Sequence, residues 1–241
     1  MSNSGGLRSL QAPNFSATIL FAGQDCALCG AVSGDSVVCA QCEAALPRPS
    51  TCCEWCAAAL AHAGICGQCQ RRPPAYDAAV AAFEYRFPVD RVIHRFKYSA
   101  DLAMGRWLAL RLALRASEAA RPELLVAPPL SAARLRERGF NQAIEIARTV
   151  GKRLGLRCAI AALEKVRDTA PQPGLTRRER RRNLRHAFRC RVRFSGEHVA
   201  IVDDVMTTGA TADAIATILK AAGAGRVSVW AVARTPDPAG D

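Results

Sequence analysis

Eight cysteines constrain this chain more than any other feature. They form four C-x-x-C pairs, Cys26/Cys29, Cys39/Cys42, Cys53/Cys56 and Cys66/Cys69, and the last two pairs repeat the first two at a constant offset of 27 residues. A fixed offset of this kind marks one small unit used twice. Two residues between cysteines let both thiolates reach one ion from a tight turn, and two such turns complete a tetrahedral four-sulfur zinc site. Residues 26–70 are too few to hold together by burial alone. Zinc supplies roughly 10 kcal/mol or more of folding free energy in small fingers. The expectation is one structural ion per unit, in a closed site with no open position for chemistry. A crossed arrangement, in which pairs one and three share an ion, fits the same spacing. Disulfides, a redox pair or an iron–sulfur cluster would use the same residues. Cys52 is a spare beside Cys53, His62 reads as a surface histidine, and Cys158 and Cys190 stand alone.

Compartment decides between metal and disulfide. The short apolar run Phe15–Ala22 has a single upstream basic side chain, Arg8, and reads as part of a lead-in rather than an export signal. No stretch of 18 apolar residues is present to span a membrane. The chain is therefore expected in a reducing cytoplasm. Half of its 241 residues are apolar, which excludes disorder throughout. Its charge is lopsided, 33 Lys and Arg against 21 Asp and Glu, a net of +12.

Arg71-Arg72-Pro73-Pro74 marks a boundary. The organisation read from this is a lead-in over 1–25, a zinc module over 26–70 and a larger body over 71–241. Tyr76–Tyr85 reads as one strand or a short hairpin, and residues 89–98 and 101–116 as helices, from apolar positions at helical spacing. Lys97 stands at the end of the first of these helices. Leu124–Leu130 reads as a buried strand stopped by Pro128-Pro129. Ser131–Arg138 reads as a basic connection ending at Gly139. A helix follows from about Asn141 to Leu154, with Ile144, Ala147, Val150 and Leu154 on its inner side. Residues 165–193 hold eleven Lys and Arg against two Asp and Glu, a local balance of +9 that calls for an anionic partner.

The most informative motif lies at 198–211. His198–Val202 has the pattern of a buried parallel strand and leads into Asp203-Asp204. Thr207-Thr208-Gly209-Ala210-Thr211 then opens a helix running to about Ala222, and a strand over Val227–Val232 completes a β-α-β unit. Residues at the C-terminal end of a parallel strand face the ligand crevice of an open α/β sheet. Backbone N–H groups and the dipole of a helix N-terminus seat a phosphate there. Gly209 permits close backbone approach, and the threonines add hydroxyl donors. Two carboxylates would repel that phosphate; they suit neighbouring hydroxyls as acceptors, or a nearby Mg2+. A phosphate with a vicinal diol close by describes a ribose 5-phosphate. Neither G-x-x-x-x-G-K-[ST] nor G-x-G-x-x-G is present.

Val202–Thr211 (VDDVMTTGAT) resembles the phosphoribosyl-pyrophosphate (PRPP) loop of type I phosphoribosyltransferases. With the paired cysteine knuckles, Phe96-Lys97-Tyr98, Pro129-Leu130-Ser131, Arg134 and Arg138-Gly139-Phe140-Asn141-Gln142, the chain is similar to the competence-associated ComF family over residues 26–234. The resemblance continues through Thr169, Gln172, Leu175, Arg180, Asn183 and Ala187-Phe188. It implies an α/β fold, a type I phosphoribosyltransferase-like parallel sheet with an N-terminal double zinc ribbon. It assigns the 5-phosphate of PRPP to Thr207, Thr208, Gly209, Ala210 and Thr211, and the ribose hydroxyls to Asp203 and Asp204. Arg134 and Arg138 are assigned to pyrophosphate, with Lys97 and Arg180 grouped as pyrophosphate or lid residues. No residue is needed as a covalent nucleophile, and Mg2+ would accompany PRPP. Residues 71–100 would build the hood that receives the acceptor. Two functions follow: an Mg2+-dependent phosphoribosyltransferase associated with DNA uptake, or a non-catalytic accessory protein binding single-stranded DNA beside a helicase or recombination protein.

Overall fold

The computed structural model describes residues 23–167, 184 and 187–236. The cysteine units come first, each closed by a five-residue helix, α1 (Ala40–Ala44) and α2 (Gly67–Arg71). Strand and helix then alternate, as a parallel sheet with helical crossovers requires. Strand β1 (Ala78–Glu84) leads to helices α3 (Val89–Tyr98) and α4 (Leu102–Ala116), then to β2 (Leu124–Val126). Helices α5 (Ala132–Arg138) and α6 (Gln142–Leu154) precede β3 (Arg157–Cys158). A small antiparallel pair, β4 (Leu163–Lys165) and β5 (Phe188–Cys190), is followed by β6 (His198–Met206), α7 (Ala210–Ala221) and β7 (Arg226–Arg234).

The sheet order is β1-β7-β6-β2-β3, every pairing parallel. From β2 the chain moves outward to β3 and then crosses back to β6. The order thus reverses between β2 and β6, and the C-terminal ends of these two strands flank the crevice where open α/β sheets bind ligands. Alternation along the central strands divides the apolar side chains between two faces. Ala200, Val202, Trp230 and Val232 pack on one side with α3, α4 and α6; Val199, Ile201, Val227, Val229 and Ala231 pack on the other with α7. The first cysteine unit joins the former core through Cys26, Val38 and Leu46, the second joins the latter through Cys53, Cys56, Cys66 and Cys69.

Several expectations shift. Ser131–Arg138 is not an irregular connection. Ser131 Oγ accepts from the Arg134 N–H at 3.2 Å, and Gly139 ends the helix in the left-handed region at φ +75°. Cap residues at both ends make a helix of a run whose charge concealed it. Residues 78–84 form a single strand of the main sheet, not a hairpin. The strand expected over 124–130 stops at Val126, while that expected over 198–202 continues to Met206. Helix α6 buries Gln142, Ala143, Ile146, Ala147 and Val150, leaving Ile144 and Leu154 half-buried at the margin of the inner face. Most of the basic stretch 165–193, with Arg180, lies outside the described residues.

Candidate functional site

The cysteines form two groups, Cys26/Cys29/Cys39/Cys42 and Cys53/Cys56/Cys66/Cys69, each with its sulfurs within 4.8 Å of one another. The sequential grouping holds and the crossed one does not. A tetrahedron with Zn–S bonds of about 2.3 Å has S···S edges of about 3.8 Å. Cys29 and Cys39 Sγ lie 3.8 Å apart, and Cys56 and Cys66 Sγ 3.7 Å. The donor sets therefore fit zinc in size and chemistry. The repeat extends to the backbone. The Cys39 N–H donates to Cys26 Sγ and the Cys66 N–H to Cys53 Sγ, both at 3.3 Å, contacts that favour thiolate. Bridges Asp25–Val32 and Cys52–Ala59 match at the same offset. The knuckle turn takes positive φ at Gly30 and again at Ala57, where a methyl group must be accommodated. The second group is fully buried, whereas Cys29 is exposed. His62 is exposed and belongs to neither group.

The other constellation lies at the end of β6. Asp203 and Asp204 sit within the strand, so they project to opposite faces. Asp203 lines a small pocket with Met206, Thr207, Thr208, Gly209, Ala210 and Thr211. Gly209, at φ +71°, is the N-cap of α7 and contributes no side-chain cap, so the first-turn N–H groups border that pocket. A Cβ on Gly209 would lie 3.0 Å from both Met206 Cε and Tyr76 Oη. Thr208 Oγ1 accepts from the Ala210 N–H at 3.3 Å. Asp204 meets Lys97 Nζ at 2.9 Å from the other face. Helix α3 brings Lys97 there because Phe96 is clamped against Gly105 of α4, where a Cβ would lie 2.2 Å from the ring.

Burial, reinforced by the negative charge of Asp204, pushes the Asp203 carboxyl up to about 7, although it accepts the Asp204 N–H and has Lys97 near. Folding thus favours the protonated acid. The unfolded chain releases this proton at lower pH than the folded one, so the Asp203 contribution to stability declines as pH rises from about 4 to about 7 and is level above.

Of the remaining candidates, Arg138 Nη1 donates to Gln142 Oε1 at 3.0 Å, and Nη2 to Tyr98 Oη at 3.2 Å. Asn141 caps α6 and donates to the Pro128 carbonyl, fixing the N-terminus of α6 beside the end of β2. Arg134 is half-exposed on α5. Three further residues carry no signal that sequence reasoning could have found. Arg234 Nε donates to the Cys56 carbonyl at 3.0 Å and Nη1 to the Thr207 carbonyl at 2.5 Å. Buried Tyr76 backs Gly209, and Asp213 Oδ1 accepts from the Ala75 N–H at 2.7 Å. Among the described residues no helix is long and apolar enough to cross a membrane.

The double zinc ribbon domain family matches residues 17–70. The chain is 34% identical over 205 residues to DNA utilization protein YhgH of Escherichia coli (strain K12), spanning 82% of this chain and 90% of that protein. It is 32% identical over 206 residues to Competence protein F of Haemophilus influenzae, with the same coverage. Solved structures that it resembles include the glutamine PRPP amidotransferase from B. subtilis, at 21% identity and a TM-score of 0.37, over 53% of this chain and 26% of that one. A purine phosphoribosyltransferase from Pyrococcus horikoshii matches at 17% identity and a TM-score of 0.32, over 56% and 88% respectively. With its parallel α/β sheet, its two four-cysteine zinc sites and this kinship to a competence protein along most of its length, the chain belongs to the ComF family.

Proposed function

We propose that the protein binds PRPP with its Mg2+ in the crevice at the end of β6 and transfers the phosphoribosyl group to an acceptor nucleophile during DNA uptake in the cytoplasm. The observation that carries this reading is the junction of β6 with α7. Asp203 and the uncapped first turn of α7 border one pocket, with Gly209 holding the backbone open. In this reading the 5-phosphate takes N–H and hydroxyl donors from Thr207–Thr211, and Asp203 and Asp204 accept from the ribose hydroxyls. Lys97 then positions Asp204 instead of reaching the pyrophosphate, a role left to Arg134 and Arg138, with Arg180 on the lid. The acceptor forms a bond to C1 of the ribose as the C1–O bond to pyrophosphate breaks, the electron pair leaving on pyrophosphate. Positioning and charge supply most of the rate. Lys97 engages Asp204, and Mg2+ arriving with PRPP would neutralise charge on the leaving pyrophosphate. Residues 26–70 serve as the zinc module, 71–241 as the catalytic body and 1–25 as a lead-in. Calorimetry with PRPP and Mg2+ should show saturable binding, and no heat at millimolar ligand would overturn the reading.

The Asp203 carboxyl adds a pH signature. Ribose hydroxyls need the ionised acceptor, so binding below about pH 7 should release a proton from Asp203. Affinity should rise toward about pH 7 and level off. Calorimetry at about pH 6 in two buffers of different ionisation enthalpy measures the release. Asp203→Asn should release less than wild type, and equal release by both proteins would contradict the assignment.

A second reading rests on β5 and the residues after it, where Arg189, Arg191 and Arg193 are all exposed. They form the C-terminal end of the basic stretch, and among the described residues Arg191 pairs with an acid, Glu164. This surface suits the phosphates of single-stranded DNA, bound without sequence preference, with a helicase or recombination protein as partner. Binding should weaken by at least about tenfold between 50 and 200 mM salt. A salt-independent affinity would exclude it.

A further inference from the structure

Strand β7 ends on a charge that is 3% exposed, Arg234. Its guanidinium bridges three backbone segments. Nε donates to the Cys56 carbonyl at 3.0 Å. Nη1 faces the carbonyls of Met206 at 3.5 Å, Thr207 at 2.5 Å and Thr235 at 2.6 Å. Cys56 belongs to the second cysteine group, and Met206 and Thr207 open the phosphate loop. Two further contacts run in parallel. Tyr76 stands behind Gly209, and the Asp213 carboxylate in the first turn of α7 holds the Ala75 N–H. The second cysteine group shares a core with Tyr76, Met206 and Ala212, whereas Cys26 of the first group packs in the other core with α3 and α4.

A buried guanidinium cannot tolerate losing its acceptors. The Cys56 carbonyl belongs to a knuckle turn whose shape depends on the ion held by Cys53, Cys56, Cys66 and Cys69. If that turn relaxes, the guanidinium shifts on its remaining acceptors, among them the Met206 and Thr207 carbonyls at the start of the loop. We propose that Arg234 is a positioning residue that couples the second zinc site, and not the first, to the phosphate loop. An ion at the second site sets the loop for a phosphorylated ligand, and the ligand in turn tightens that ion. Such coupling is reciprocal by thermodynamic necessity. The proposal rests on the PRPP reading of the crevice.

The test uses full-length, zinc-loaded protein titrated against a competing chelator, which reads two zinc affinities. Cys29→Ser, at an exposed ligand, weakens the first site and identifies which affinity is which. Saturating PRPP should tighten the second site by about fivefold or more and leave the first unchanged. Arg234→Lys keeps the charge but cannot span both carbonyls with a fork. It should retain two zinc ions, lose this tightening, bind PRPP about tenfold more weakly and exchange the amides of Thr207–Thr211 faster. If wild type gives no heat with PRPP, the underlying reading fails. If PRPP binds but shifts neither zinc affinity, or shifts both equally, the coupling is overturned. Should Arg234→Lys not fold, the wild-type competition alone decides.

Discussion

Replacing Asp203 and Asp204 together with alanine is expected to weaken PRPP binding by at least about 100-fold while both zinc ions stay in place. Hydrogen bonds to a charged group contribute about 1.5–3 kcal/mol each, and two lost ribose contacts reach that factor. The change also frees Lys97, whose ammonium would otherwise sit 2.9 Å from Asp204. A free cation beside the crevice attracts the phosphates and recovers part of the loss, so the double variant should retain weak, salt-sensitive binding. Calorimetry at two ionic strengths separates these terms, and zinc content with thermal melting shows that the fold survives. Unchanged affinity in a folded double variant would place the ribose elsewhere.

Removing the metal should act on the fold itself. Structural zinc contributes about 10–16 kcal/mol in small fingers, comparable with the whole stability of an ordinary domain, about 5–15 kcal/mol. At about 2–4 °C per kcal/mol for a chain of this size, a strong chelator should lower Tm by about 20 °C or more. The two sites should not contribute alike. Cys66→Ser disturbs a buried ligand in a core shared with β6 and α7, whereas Cys29 is exposed. Scanning calorimetry should therefore find the larger loss in Cys66→Ser, and equal losses would mean that the second group is not built into that core.

Much of this architecture could be read from local pattern. The cysteine spacing gave the two metal groups, because a knuckle turn is a local object whose ligands lie within the same few residues. The apolar runs of β6 and β7 announced central strands, and the glycine after the threonines announced the start of α7. What stayed hidden depends on distance or on competing signals. Charge masked the caps of α5. The extension of β6 through Asp203 and Asp204 runs against their strand propensity and is set by pairing with β7, Asp203 opposite Ala231. That register separates the two acids onto different faces, which adjacency in sequence does not suggest. Arg234 was unreadable, because the carbonyl of Cys56 lies 178 residues away. A backbone acceptor leaves no trace in residue type.

The linker between the two cysteine units bears on self-association. An outer strand with unpaired N–H and C=O groups offers a template for another copy. Here the Pro47 carbonyl takes the N–H of Glu84 on β1, and Arg48 lies over the Phe83 ring, 5.1 Å from its centroid. Prolines on both sides of Arg48 cannot donate to an added strand. The opposite border, β3, is two residues long and offers little to copy. The segment that joins the metal knuckles therefore also covers the C-terminal end of the sheet's β1 border.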